Sequence, residues 1–230
     1  MSVQRLRVWF SKGDRVRYIS HLDVLRYWER CIRRAGLPLS YSQGFTPHPK
    51  LAFAGPLPLG YLAENEVMDV TLDERMDPAE FAARLVPQTT SDLSVVRVEE
   101  VPLGMIAPQS ALLWADYAVD LEGVPTEVAR LAVASFLAAT EWPWTEVRHD
   151  KTRAYDLRAA TATLAAEPSA TGARLTMRLM ATQEMMARPE QLLAAILPGV
   201  EALAVTRLGL LFDDVSPARE AWMRRGRFLE

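Results

Sequence analysis

Cysteine is almost absent from this sequence: Cys31 stands alone in 230 residues. A single thiol builds neither an internal disulfide nor a thiolate cage, so a reducing compartment is expected, without an intrinsic zinc or iron–sulfur centre. Histidine is scarce as well. His21, His48 and His149 are too scattered to give a metal-ligand spacing, and no metal or cofactor is expected. Apolar runs such as Leu131 to Ala139 fall short of the roughly 18 residues needed to cross a bilayer. Nothing from Met1 to Lys12 reads as a charged-then-apolar leader, so the expected location is the cytoplasm. Neither a glycine-rich phosphate loop nor a serine nucleophile elbow occurs, which argues against nucleotide hydrolysis and acyl transfer.

What is present suits a folded protein. Half of the residues are apolar and 24% are charged, and the length fits one large domain or two small ones. The net charge of -3 hides an asymmetry. Residues 1 to 50 hold ten Lys and Arg against three Asp and Glu, and no carboxylate occurs between Glu29 and Glu64. Such a patch attracts polyanions whatever the total charge; the alternative is that it docks on the acidic remainder or serves solubility.

The order of elements repeats. Gln4 to Phe10 alternates as a half-buried strand with Leu6, Val8 and Phe10 on one face. Ser20, with Asp23 three residues on, starts a helix through Ala35 that Gly36 and Pro38 terminate. Its core stripe reads as Leu22, Leu25, Trp28, Ile32 and Ala35, and Arg26, Arg30, Arg33 and Arg34 gather opposite. Strands follow at 50–53 and 66–72, a helix from Asp77 to Pro87, and a strand at 93–98. The second half reads as a strand at 113–121, a helix at 125–140, strands near 154–164 and 174–180, a helix from Pro189 and a last strand. The stretch from Asp77 to Pro87 aligns without gaps on Arg188 to Pro198, and Leu93 to Arg97 on Leu203 to Arg207, at offsets of 110 or 111 residues. A duplicated split βαβ unit explains this order. The predicted fold is therefore α+β, two tandem ferredoxin-like (βαββαβ) units with antiparallel sheets, at 1–104 and 110–215, followed by a tail at 216–230.

The helix at 20–35 and the loop after it are the most informative segment. Arg26, Arg30, Arg33, Arg34, His48 and Lys50 are candidate phosphate contacts, and Tyr41 and Phe45 are candidate stacking rings for unpaired bases; packing of either ring under the loop is the alternative. His21 lies in the first helical turn, where the helix dipole disfavours the imidazolium. That suggests an endoribonuclease without metal, with His21 as general base and His48, Tyr41 or Lys50 assisting. In the second half, Lys151, Arg153 and Arg158 form another basic stretch and are candidate RNA contacts that would extend the same track; Asp150 and Asp156 dilute its charge, a solvated hairpin is the alternative, and the tail has Arg224, Arg225 and Arg227.

Ser20-His21-Leu22-Asp23, the run Gly36 to Lys50 and Pro56-Leu57-Pro58-Leu59-Gly60 resemble the radical-SAM-linked domain family of unknown function found in bacteria, and Thr152 to Arg158 looks like its later motif. The resemblance implies an accessory role beside a radical SAM enzyme acting in trans. In architecture the tandem plan with a His-bearing first helix also resembles the RAMP proteins that bind and process CRISPR RNA. Those proteins carry a glycine-rich loop near the last strand, where this chain has Gly209 alone. Together these readings favour an RNA-binding accessory module for tRNA or rRNA modification or maturation. The alternatives are the endoribonuclease and a protein-binding adaptor for the radical SAM partner.

Overall fold

The computed structural model describes residues 2–148 and 151–213, with only the backbone described at 147, 148 and 151. It is an α+β fold of mostly antiparallel sheet, with ten strands and five α-helices among the described residues. The chain divides into two compact units, Met1–Leu112 with Arg207–Leu210, and Leu113–Thr206 with Leu211–Glu230.

In the first unit β1 (Gln4–Lys12) lies between β4 (Val95–Val101) and β3 (Leu62–Leu72), and β2 (Leu51–Phe53) pairs with β3, giving the order β4-β1-β3-β2 with every pairing antiparallel. The period of two along β1 puts Leu6, Val8 and Phe10 on the core face, where they meet Met68, Val70 and Leu72 of β3. Helices α1 (His21–Arg34) and α2 (Pro78–Leu85) cover that face with Val24, Trp28, Cys31, Ile32, Phe81 and Leu85. The expected capping box forms: the Ser20 hydroxyl accepts from the Asp23 N–H at 3.2 Å, and the Asp23 carboxylate accepts from the Ser20 N–H. Gly36, at φ 62°, follows the helix. The core stripe is rotated from the expected one. Val24 and Cys31 replace Leu22, which is exposed, because 24, 28, 31 and 32 make the tighter 3.6-residue stripe and Leu22 lies about 100° off the line through His21 and Trp28.

The opposite face of β1 carries buried charge. Arg5 and Arg7 both bond Asp69 on β3, with Arg7 Nε 2.8 Å from Oδ1 and Arg5 Nε 2.7 Å from Oδ2. Arg5 also donates to the carbonyls of Met105 and Ile106, so the residues between the two expected units, 105 to 109, belong with this one. A short α3 (Pro108–Ala111) follows it.

In the second unit β5 (Leu112–Glu122) lies between β9 (Gly172–Met180) and β10 (Ala202–Phe212), of which Arg207–Leu210 counts with the first unit, and β8 (Thr161–Ser169) flanks β9, giving the order β10-β5-β9-β8. Helices α4 (Thr126–Ala138) and α5 (Pro189–Ile196) occupy the expected places. The strand expected at 154–164 is two strands. A separate hairpin of β6 (Pro143–Arg148) and β7 (Lys151–Asp156) ends where the Asp156 carboxylate accepts from the Trp142 and Arg158 N–H groups, and β8 begins after the turn at 157–160.

One buried ion pair anchors the first unit. Arg207 and Glu66 are both almost wholly buried; Arg207 Nε lies 2.6 Å from Glu66 Oε1, and Nη2 bonds Oε2. Replacing Arg207 with Met strands the Glu66 charge and should cost about 3–5 kcal/mol in urea unfolding, whereas the double variant Glu66→Leu, Arg207→Met should recover most of that loss.

Candidate functional site

The site is built on α1 and the segments at its two ends. Along α1, Leu22, Arg26, Arg30 and Arg33 share the exposed face, because positions four and seven apart lie on one side of a helix. Their neutralisation is weak. Arg26 reaches Asp23 only at 4.0 Å and Arg33 reaches Glu29 at 3.8 Å, and Arg30 makes no ion pair among the described residues. Asp23 is held by the Ser20 hydroxyl and amide, which keep its carboxyl below the ordinary aspartate value, with Arg26 and Arg30 adding a smaller pull. Arg34 behaves differently: it turns to the side and donates to the Gln88 carbonyl at 2.9 Å and to Cys31 Sγ, and so serves the framework.

The loop that follows α1 is a built hairpin. Tyr41 bridges to Pro49, the Ser42 N–H donates to the His48 carbonyl at 2.8 Å, and the His48 N–H returns to the Ser42 hydroxyl at 2.9 Å. Tyr41 packs on the core, which is the alternative weighed for it, whereas Phe45 at the tip is fully exposed. His48 and Lys50 are exposed too, and the Lys50 ammonium donates to the Ser2 hydroxyl. Fold and loop thus gather Arg26, Arg30, Arg33, Phe45, His48 and Lys50 on the first unit. Arg153, exposed, and Arg158, whose guanidinium donates to the Thr161 carbonyl, belong to the second unit. His149, Asp150 and residues 214–230 with their arginines lie outside the described residues, as does the side chain of Lys151.

At the N-terminal end of α1, His21 enters a small pocket of about 10 Å³, room for one water-sized group, lined also by Phe10, Lys12, Phe53, Leu57 and Glu66. Its ring meets Phe53 edge-on at 5.2 Å. Burial pushes the His21 pKa down, the Glu66 carboxylate opposes this and Arg207 reinforces it. Lys12 is almost completely buried, its ammonium donates to the Arg17 carbonyl at 2.8 Å, and desolvation lowers its pKa against the pull of Glu66. Among the described residues no hydrogen bond joins His21 to His48, Tyr41 or Lys50, so the four suggested catalytic groups are not assembled by direct contact.

Sequence reasoning missed Lys12, Glu66 and Arg207. The signal was the period of two: Lys12 continues the inward register of Leu6, Val8 and Phe10, and Glu66 that of Met68 and Val70, so each is a charge where an apolar residue is due.

A histidine whose pKa is lowered on folding is protonated more readily in the unfolded chain. Its favourable contribution is therefore complete above the ordinary value of 6.5 and is lost as pH falls below it. With Lys12, Glu66 and Arg207 unchanged around it, His21→Gln should make the melting temperature less sensitive to acidification from neutrality towards about pH 5; an unaltered pH profile would refute this account of its environment.

Comparison with solved structures gives distant likenesses. A "Cbf5-Nop10-Gar1 Complex" crystal structure is matched at TM-score 0.47 and 12% identity over 88% of this chain, and this chain spans only 47% of that one. A protein of unknown function from Galdieria sulphuraria is matched at TM-score 0.27 and 11% identity, over 89% of this chain and 98% of that one. No curated protein matches the sequence. The model of a family described as an uncharacterized protein conserved in bacteria (DUF2344) matches residues 5–189, and the chain belongs to that family.

Proposed function

We propose that this protein is a cytoplasmic RNA-binding accessory module that works with a radical SAM enzyme in the modification or maturation of tRNA or rRNA. The observation that carries the RNA-binding part is the face of α1, where Arg26, Arg30 and Arg33 stand exposed with carboxylates no closer than 3.8 Å. Phosphates neutralise such a row at little desolvation cost and release counterions on binding. Lys50 extends the cationic surface along the hairpin, with the exposed His48 imidazole beside it as a hydrogen-bonding group, and Arg34 and Tyr41 hold the frame. The enzyme partner rests on the sequence resemblance, and with one cysteine in the chain the radical chemistry is assigned to that partner.

We read the two units as copies of one ferredoxin-like βαββαβ plan. Their strand orders, β4-β1-β3-β2 and β10-β5-β9-β8, support this, since both place the first element beside the third and fourth. The β6–β7 hairpin is then an insertion in the second copy.

The endoribonuclease is the second reading, favoured by burial that keeps His21 neutral and so competent as a base. Loss of RNA cleavage on His21→Ala would favour it, and its persistence in a His21→Ala, His48→Ala variant would remove it. A protein-binding adaptor predicts a stable complex with the enzyme and no RNA retained at physiological salt.

The decisive comparison is of the wild type with Arg26→Glu, Arg30→Glu by fluorescence anisotropy on labelled RNA over a range of salt. Binding should be lost, or the slope of log affinity against log salt should flatten by about 0.7 for each phosphate contact removed from a single strand. Unchanged affinity and slope would sink the RNA-binding reading.

A further inference from the structure

Along the chain the arginine row of α1 is preceded and followed by exposed rings that the core does not use. At the C-terminal side the hairpin closed by Tyr41 and Pro49 presents Phe45 at its tip, with its whole side chain in solvent. At the N-terminal side Tyr18 is 74% exposed, and Leu22 and Leu59 are exposed by 61% and 63%. This end is as deliberately held as the hairpin. Arg17 and Gly60 exchange two bonds, Gly60 N–H to the Arg17 carbonyl at 2.9 Å and Arg17 Nε to the Gly60 carbonyl at 3.1 Å, and the buried Lys12 ammonium takes the same Arg17 carbonyl. Gly60 adopts φ 82°, and a Cβ added there would lie 3.5 Å from the edge of the Tyr18 ring, so the turn runs close beside the ring. The Arg17 guanidinium lies 5.2 Å from the centre of that ring.

Large apolar side chains at an otherwise cationic surface cost solubility and gain nothing from phosphates. A duplex would contact the arginines but offer Tyr18 and Phe45 no base faces, because its bases are stacked on one another. An unpaired strand offers both phosphates and base faces, and every base has a face to stack. The charge excludes a purely apolar partner, and the rings are superfluous for a duplex.

We infer that the ligand of the α1 surface is unpaired RNA, with bases stacked on Tyr18 at one end of the arginine row and on Phe45 at the other. This rests on the RNA-binding reading and narrows its substrate to single-stranded segments, loops or ends.

The test compares a fluorescein-labelled, unstructured RNA of about a dozen nucleotides with its blunt duplex at the same salt. The single strand should bind at least about ten-fold more tightly, and Tyr18→Ala and Phe45→Ala should each weaken it by about five-fold or more while leaving duplex binding unchanged. Tyr18→Phe should retain single-strand affinity, because it keeps the ring. Equal affinity for the two forms, with neither alanine variant affecting it, would overturn this inference and leave RNA binding standing. Failure of the wild type to bind either RNA would overturn the RNA-binding reading itself.

Discussion

The ion pair between Arg207 and Glu66 is the constraint on which the rest of the first unit depends. Glu66 lies on β3 in a position that its neighbours Met68 and Val70 make apolar, and a lone carboxylate there would not survive burial. Arg207 answers it with Nε and Nη2, and directs further N–H groups to the carbonyls of Gly55 and Pro56 at 3.3 and 3.4 Å. The loop from Gly55 to Leu57 is thereby held against the pocket that receives His21. The Glu66 charge also offsets part of the desolvation of Lys12, whose ammonium fixes the Arg17 carbonyl. A buried carboxylate is thus linked, through one lysine and one turn, to the setting of an exposed tyrosine.

The same logic recurs on the other face of β1. Asp69 lies directly opposite Arg7 in the strand register and is shared by Arg5 and Arg7. Arg5 has donors left over, and these take the carbonyls of Met105 and Ile106. Buried arginines here order irregular backbone, because each guanidinium offers more donors than one carboxylate accepts. Several of the cations that give residues 1 to 50 their basic balance are spent in this way: Arg5, Arg7 and Lys12 are internal, Arg17 clamps Gly60 and Arg34 clamps Gln88.

What could be read from the chain beforehand divides along that line. The capping box, the helix and strand order and the inward face of β1 depend on residues close in sequence, and the periodicity displayed them. The partner of Glu66 lies 141 residues away, and no local pattern announces such a pairing. Leucine at a helical position reads as apolar stripe, which places Leu22 in the core, yet the stripe runs through Val24 and Cys31 and leaves it outside. The sequence reads as one strand over 154–164, whereas β7 ends and β8 begins within it; the break comes from the Asp156 side chain binding backbone N–H groups. In the candidate site, the exposure of Arg26, Arg30 and Arg33 was legible from the helical face, and the sequence left Tyr41 and Phe45 open between packing and exposure; the turn of Arg34 towards Cys31 and Gln88 was not legible, because Gln88 lies 54 residues away.

Not all of the α1 cations demand a ligand. The last turn of any helix favours positive charge, because its unpaired carbonyls form the negative end of the helix dipole, and this alone accounts for Arg33 and Arg34. It does not account for Arg26 or Arg30, which stand further up the helix. Arg26 is weakly matched by an aspartate already engaged in the cap, and Arg30 is followed by a stretch without a carboxylate up to Glu64. A helix selected for solubility alone would intersperse both signs on this face, since opposite charges three and four residues apart stabilise it. Asp23 and Glu29 meet part of that need, but Arg30 forms no ion pair among the described residues and adds only a small pull on Asp23, so the positive charge of this face exceeds what the helix itself uses.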